Sequence, residues 1–173
     1  MIGLRRGTVK LDSYNPKWKV SFEKEKRHIH KSLGDLIVGV EHVGSTAIPG
    51  ALAKPVIDIA VVVKSIKFPY KLIKLLGTLG YEYKKDDDVP GRLFFIKGSE
   101  KRRTHYIHVV KLQGREWKKL ILFRNYLLAH NKAIHEYNEL KNKLAKQYTL
   151  DRKSYTSGKD KFIKAIIKKA QNE

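Results

Sequence analysis

The stretch from Val38 to Val63 constrains the fold of this chain more than any other part of the sequence. Val38 to Val43 is an apolar run that predicts a buried strand, and it ends at Gly44-Ser45-Thr46, where small residues let backbone N–H groups approach a ligand. Pro49-Gly50 interrupts the path, and Val56 to Val63 is a β-branched run that predicts a second strand. The pattern therefore predicts two strands joined through a glycine turn whose backbone suits a phosphate.

Asp58 is the one charged residue on the second predicted strand. A carboxylate among Val and Ile side chains is costly to bury without a partner, so Asp58 must face a cation, a hydrogen-bond donor or the open end of the sheet. The glycine turn and Asp58 are therefore candidates for the same site.

These residues resemble those of a known fold and family. Gly44-Ser45, followed after twelve residues by Asp58 between hydrophobic neighbours, resembles the signature of the nucleotidyltransferase fold of the polymerase β type. More closely, Glu41 to Ile59 resembles the central run of the GrpB family (UPF0157). Further motifs similar to that family are His105-Tyr106-Ile107-His108, Phe123 to Leu127, and Tyr155-Thr156 with Lys159.

The resemblance implies an α/β (α+β) fold with a mixed central β-sheet of nucleotidyltransferase type and a C-terminal helical layer. It implies a single domain over residues 1–173, with a core at about 35–112 and C-terminal helices at about 115–173. It also implies a phosphate and metal site. The family has no settled activity, so the fold does not bring a function with it.

The composition narrows the class of protein. The chain has 173 residues, of which 42% are hydrophobic, enough for one domain with a sizeable core. Without cysteine it cannot form disulfides or thiolate zinc sites, and no apolar run approaches the ~20 residues that span a bilayer. The first residues lack the apolar segment of a signal peptide, so we expect a cytoplasmic protein without membrane insertion.

The charge is strongly basic, since 37 Lys and Arg against 17 Asp and Glu give a formal net charge of +20. Such a field attracts phosphates, nucleotides, RNA or anionic lipid, although solubility alone would also explain it. RNA-binding surfaces interleave stacking aromatic residues with basic ones, whereas most aromatic residues here fall at core spacings. The aromatic pattern therefore does not indicate RNA.

Periodicity and turn residues predict the remaining elements. Helices are predicted from Asn15-Pro16 to Leu33, from Pro69 to about Leu79, from Glu116 to about Ala129, over Lys132–Gln147 and from about Ser157, and strands over Val9–Leu11, Tyr81–Lys84, Arg92–Lys97 and Thr104–Leu112. The run Asp86-Asp87-Asp88 is predicted to be a solvated loop rather than a metal site, because consecutive residues of an extended turn point in different directions.

The strand at Thr104–Leu112 decides which histidine can reach the site. Side chains alternate between faces, so only one of His105 and His108 can face Asp58. In a centre of the polymerase β type, two carboxylates of one strand and a third from a neighbouring strand hold two magnesium ions. This chain has Ala60 in place of the second acid and one of these histidines in place of the third, which weakens the two-magnesium hypothesis.

Two interpretations of this cluster remain open. In the first, Asp58 and His108 are catalytic residues that bind one divalent ion (Mg, Mn or Zn), with help from Glu41, His42 or His105. In the second, His108 only hydrogen-bonds Asp58 or the nearby serine hydroxyl.

The phosphate site is predicted from small and basic residues. Gly44, Ser45 and Thr46 cradle the phosphate in this hypothesis, and its charge is neutralised by Lys54, Arg92, Arg124 and Lys159. The alternative for the last two is a snorkelling arginine paired with the acids of the sheet and an ordinary solvated lysine.

The leading hypothesis is a protein that binds a nucleotide or phosphorylated small molecule, with nucleotidyl transfer as its reaction. The alternative is a non-catalytic basic RNA-binding or interaction module on a degenerate nucleotidyltransferase fold, which the missing carboxylate at Ala60 favours.

Overall fold

The computed structural model describes residues 2–67 and 69–173. Its strands are β1 (Gly39–Val43), β2 (Ile57–Val63), β3 (Tyr81–Tyr83), β4 (Arg92–Ser99) and β5 (Arg102–Lys111). Its α-helices are α1 (Lys17–Leu33), α2 (Tyr70–Thr78), α3 (Arg115–Ala129), α4 (Asn131–Gln147), α5 (Arg152–Ser157) and α6 (Asp160–Gln171). Short 3₁₀ helices cover Gly34–Leu36, Ser45–Ala47 and Lys85–Asp87.

The five strands form one mixed sheet in the order β1-β2-β5-β4-β3, which confirms the predicted fold class. Strands β2 and β5 are parallel, and the other neighbouring pairs are antiparallel. The register places Asp58 opposite Tyr106 and Ala60 opposite His108. Because residues paired across a sheet share a face, Asp58, Ala60 and His108 all point to the same side.

The first face of the sheet is covered by α1 and α2. Helix α1 contributes the stripe that its spacing predicts, with Trp18, Phe22, Ile29 and Leu33 buried in the main apolar core. Fully burying each such side chain stabilises the fold by about 1.5–3 kcal/mol. This face is therefore closed along its length by helix packing.

The second face is covered only in part. Helix α3 packs Ile121 over Val43, Ala60 and Val62 at one end of the sheet. A separate apolar cluster, which includes Ile48, Phe123, Leu127, Tyr137 and Ile166, joins the helices α3, α4 and α6 beside it. At the other end, side chains of β2, β4 and β5 form the floor of an open cleft.

The predicted edge strand at Val9–Leu11 is wrong. This segment forms no strand, and the Val9 N–H donates to the Thr149 carbonyl at 2.9 Å instead. The reason is tertiary, because Val9 packs with Leu144 and Tyr155 of the helical layer rather than along the sheet. The N-terminal segment thereby becomes one wall of the cleft, to which it contributes Arg6.

The C-terminal helical prediction missed one short helix. A short helix, α5, precedes α6, and the Asp151 carboxylate caps it by accepting a hydrogen bond from the Ser154 N–H at 3.0 Å. Gly158 separates the two helices at a point of close packing, since a Cβ there would lie 2.6 Å from a methyl carbon of Leu144. The break turns the chain so that α5 and the start of α6 both border the cleft.

The length and polarity of the helices decide whether any of them could span a membrane. Among the described residues, no helix combines the length and the apolar character that crossing a bilayer requires.

Candidate anion-binding cleft

The glycine turn after β1 lies directly against Asp58. Gly44 has φ +69°, and a Cβ at this position would lie 2.6 Å from Asp58 Oδ2. The next residues form the 3₁₀ helix Ser45–Ala47, whose first N–H groups, those of Ser45 and Thr46, have no partner within the helix. Only glycine allows this close approach, so the sequence places a turn rich in N–H donors beside the carboxylate.

Asp58 and His108 form the polar pair on the floor of the cleft. Their Oδ1 and Nε2 atoms lie 3.4 Å apart, and their side chains are 30% and 13% exposed. The other ring nitrogen of His108, Nδ1, is buried without a hydrogen-bond partner. When Nε2–H donates to the carboxylate, the free lone pair of the ring is on Nδ1, which is buried and out of reach of a ligand. The Asp58 carboxylate, rather than the imidazole, is therefore the group available to a ligand.

The cleft above this pair has a volume of about 820 Å³, within the range of small-molecule sites. Seven basic side chains line it against three acidic ones. The basic side chains are those of Arg6, Lys54, Arg92, Lys141, Arg152, Lys153 and Lys159. The cleft is thus a concave surface with an excess of positive charge, which suits an anionic ligand.

Of these lysines, Lys141 is buried, and Lys54 and Lys159 are partly buried. Burial, with a smaller contribution from neighbouring cations, lowers the pKa of Lys54 to about 7, that of Lys141 to about 7 and that of Lys159 to about 8. Within the described residues, none of the three ammonium groups has a carboxylate within 4.0 Å. An anion in the cleft would supply the missing countercharge.

The lysines contact carbonyl and aromatic groups instead. Lys141 Nζ donates to the Leu52 carbonyl oxygen and lies 3.9 Å from the centroid of the Tyr137 ring. Lys54 and Lys159 share a single ring, because their Nζ atoms lie 5.1 and 4.6 Å from the centroid of Tyr155. Both ammonium groups therefore make a cation–π contact with the same ring.

Arg92 reaches the cleft from β4. Its Nη2 donates to the Asp87 carbonyl at 2.8 Å, and its guanidinium lies 5.4 Å from the Phe94 ring centroid. Its Nε is buried without a partner, which leaves a donor group to be satisfied. Arg152 lies 5.2 Å from the Tyr106 ring centroid on the adjacent wall.

The predicted phosphate contact at Arg124 lies elsewhere. Its Nη1 donates to Glu41 Oε2 and to the His42 carbonyl oxygen, both at 2.9 Å, and Arg124 does not line the cleft. This pairing with an acid of the sheet is the alternative that the sequence suggested, and it also occupies Glu41. Both residues are therefore removed from the site.

The other two candidate histidines face the opposite side of the sheet. His42 stacks on Phe22 with 4.6 Å between ring centroids and shares a 3.0 Å hydrogen bond with Thr46 Oγ1. Burial lowers the pKa of His42 to about 4 and also lowers the pKa of His105. The alternation of β5 therefore selects His108 and turns His105 away from Asp58.

The donor set does not fit a two-magnesium centre. Of the predicted ligands, the structure brings together only Asp58 and His108, and Ala60 is fully buried in an apolar cluster. In residues 2–67 and 69–173, no group of three His, Cys, Asp or Glu side chains is placed to hold a metal ion. Magnesium prefers several oxygen ligands, which one carboxylate and one imidazole do not provide. A single ion at Asp58 and His108 stays a prediction.

Sequence reasoning missed Lys141, Arg152 and Arg6. Lys141 carried a signal, because it follows Ile134 and Tyr137 and precedes Leu144 at the spacing of the buried stripe of α4. A lysine on a buried stripe either has its charge satisfied within the fold or belongs to a binding site. The two arginines are brought to the cleft by chain crossings that no local pattern indicates.

The architecture is an α+β fold similar to that of nucleotidyltransferases. The chain resembles the Cid1 poly(U) polymerase in a crystal structure described as having Mg and 3'-dATP bound, with a TM-score of 0.55 and 14% identity over 86% of this chain and 49% of that one. At that identity the likeness shows the fold alone.

The chain belongs to the GrpB family, whose family model, GrpB protein, matches residues 8–169. It is 37% identical to the glutamate-rich protein GrpB of Alkalihalophilus pseudofirmus over 96% of this chain and 98% of that one. It is 36% identical to the UPF0157 protein YqkA of Bacillus subtilis over 94% of this chain, but it spans only 47% of that longer protein. A crystal structure of GrpB from Enterococcus faecalis matches with a TM-score of 0.86 and 34% identity, over 94% of this chain and 98% of that one.

Proposed function

We propose that the cleft binds the phosphate groups of a nucleotide or of a phosphorylated small molecule. The observation that carries this proposal is the set of three secluded lysines, Lys54, Lys141 and Lys159, around one concave site with no carboxylate in salt-bridge range among the described residues. Burying unpaired cations is costly, so their convergence on a cleft is best explained by an anionic ligand.

The donors converge from several walls of the cleft. The Ser45 and Thr46 N–H groups lie at the end of β1, Arg92 comes from β4, and Lys141 and Lys159 come from the helical layer. Backbone N–H groups and cations on different walls can bind different oxygens of the same phosphate chain. The nucleotidyltransferase-type fold supports a nucleotide as the carrier of those phosphates, since the similar Cid1 polymerase is described with one bound.

Nucleotidyl transfer is a narrower hypothesis than binding. In-line transfer by this type of fold relies on carboxylate-held metal ions, and the donor set at Asp58 and His108 does not fit that centre. The proposal therefore rests on binding, with Asp58 as the acidic group on the floor of the cleft.

Thermal unfolding with a ligand panel tests the proposal. The panel holds pyrophosphate, the four ribonucleoside triphosphates, a sugar phosphate and the unphosphorylated nucleosides. We expect a polyphosphate at about 100 times its Kd to raise Tm by about 5 °C or more by mass action, while nucleosides leave Tm unchanged. No shift with any phosphorylated compound at millimolar concentration would contradict the proposal.

A matched pair of variants on one helix locates the effect. Lys141→Met removes a cation from the cleft, whereas Lys143→Met removes an exposed one from the same helix. We expect only Lys141→Met to reduce the shift caused by pyrophosphate.

A short single-stranded RNA in the same assay tests the alternative function. Binding of RNA alone, with no effect of mononucleotides, would favour the RNA-binding module instead. Such binding should weaken steeply as salt increases if the +20 charge drives it.

A further inference from the structure

We infer that the cleft binds its polyphosphate in the metal-free form, with Lys54 and Lys159 supplying beside Asp58 the positive charge that divalent ions would otherwise supply. This inference rests on the proposed phosphate binding and names the ionic form of the ligand. It follows from what surrounds Asp58 rather than from any single residue.

The acids that would hold metal ions are replaced in the sheet itself. Ala60, two residues after Asp58 on the same face, is 0% exposed and packs with Val43, Val62 and Val110. On the parallel neighbour, the residue in register with Ala60 is His108. One carboxylate, already hydrogen-bonded to an imidazole, is thus left where a divalent ion needs several oxygen ligands.

Cations stand close to that carboxylate. The charge of Asp58 acts on both Lys54 and Lys159, yet neither ammonium group is within 4.0 Å of a carboxylate in the described part of the chain. Both Nζ atoms contact the Tyr155 ring, at 5.1 Å (Lys54) and 4.6 Å (Lys159) from its centroid. A divalent cation entering beside Asp58 would be repelled by both lysines, whereas a bare phosphate chain would be attracted.

The charge balance of the whole cleft points the same way. Seven basic and three acidic side chains line it, so its lining carries four more positive than negative charges. A polyphosphate without a metal carries several negative charges, and complexation with magnesium cancels two of them. The bare anion is therefore the better electrostatic complement.

Calorimetric titration with pyrophosphate tests the inference on the wild-type protein. One titration contains EDTA and the other contains excess MgCl₂ at the same ionic strength. We expect binding in EDTA to be as tight as in magnesium or tighter. Binding that requires magnesium, or that is at least about tenfold tighter with it, would overturn the inference but leave the proposed function intact. No binding in either condition would overturn both.

Asp58→Asn distinguishes metal-free from metal-bridged binding, because the two predict opposite changes in the affinity for pyrophosphate. If no metal bridges Asp58 and the ligand, the change removes a repulsive negative charge and should tighten pyrophosphate binding in EDTA, by about threefold or more. If Asp58 instead holds a metal ion that binds the phosphates, the same change should weaken binding in excess MgCl₂. Weaker binding in MgCl₂ by a variant that unfolds with the wild-type Tm would therefore overturn the inference.

A lysine pair on helix α6 provides the control. Lys159→Met should weaken pyrophosphate binding in EDTA by about tenfold, because it removes one of the two central cations. Lys164→Met removes an exposed charge from the same helix and should change Kd by less than about twofold. Equal effects of the two variants would show that only the general charge of the protein attracts the ligand, and would overturn the assignment of Lys159.

Discussion

The two faces of one sheet carry buried charge in different ways. On the first face, Glu25 of α1 is 6% exposed and forms a 2.8 Å ion pair with Lys97 of β4. On the second face, Lys54, Lys141 and Lys159 are secluded with carbonyl and aromatic contacts but without a carboxylate in range among the described residues. Charge that is balanced within the protein serves the fold, whereas charge left unbalanced at a cleft indicates a ligand.

The two faces also differ in how helices cover them. Helices α1 and α2 cover the first face, and the Glu25–Lys97 pair lies beside its apolar core with Lys97 partly exposed. Helix α3 closes only one end of the second face and leaves Asp58 and His108 accessible at the other. Because α3 covers only part of the second face, the rest of that face is left as the floor of an open cleft.

The largest expected effect is on the balanced face. Glu25→Gln leaves Lys97 without its partner, and we expect the free energy of unfolding to fall by about 3 kcal/mol, with pyrophosphate binding unchanged. Chemical denaturation measures the loss, and Glu23→Gln on the same helix is the control, for which we expect a change below about 0.5 kcal/mol. A loss of pyrophosphate binding with Glu25→Gln would show that the charge pair of the first face also affects the cleft.

A smaller effect is expected at the glycine turn of the cleft. Gly44→Ala places a Cβ 2.6 Å from the Asp58 carboxylate at φ +69°, whereas Gly50→Ala at φ +82° meets nothing closer than 3.9 Å. Backbone strain affects both variants, so the clash is isolated by their difference. We expect Gly44→Ala to lose about 2 kcal/mol more than Gly50→Ala in chemical denaturation, and to lose pyrophosphate binding in calorimetry. Equal losses would mean that the turn is not packed against Asp58.

The smallest effect concerns pH. Burial lowers the pKa of Lys54 and Lys141 to about 7, so between about pH 7 and 10.5 the unfolded chain binds more protons than the folded one. Stability without ligand should therefore rise with pH over this window, by about 1 kcal/mol or more, and Lys141→Met should flatten the rise.

The balanced face should respond in a different pH window. The pKa of Glu25 is lowered because the hydrogen bond and charge of Lys97 outweigh the effect of burial. The stability that this carboxylate contributes is present above its unfolded pKa of 4.5 and is lost as pH falls through its folded pKa. Urea denaturation across pH separates the two windows, and a flat profile from pH 7 to 10 would contradict the seclusion of the lysines.

Local patterns were enough to predict most of the fold. The strands around Gly44 and Asp58, the stripe of α1 and the alternation of β5 are set by neighbouring residues, and the structure confirms each of them. The strand predicted at Val9–Leu11 was wrong because this segment packs on the helical layer, and the short helix α5 was missed because the packing of Gly158 against Leu144 separates it from α6. Both errors arise from contacts between residues that are distant in sequence.

The sequence predicted the centre of the candidate site and part of its basic lining, since Lys54, Arg92 and Lys159 line the cleft. Asp58 stood out because a lone carboxylate on an apolar strand requires a reason, and the face of His108 followed from the period of a strand. Glu41 and Arg124 were candidates by type, but they pair with each other at 2.9 Å. A side chain's type gives its charge, whereas its partner depends on the packing of other elements.

The sequence by itself determined most of the individual strands and helices, the glycine turn and the carboxylate that follows it, because each depends on residues close together in the chain. Only the tertiary structure decided which charges meet. It paired Glu25 with Lys97 across one face and gathered Lys54, Lys141 and Lys159 around the other. The physical reason is that electrostatic energy depends on distance and burial in three dimensions, and neither is encoded by the local pattern of residues.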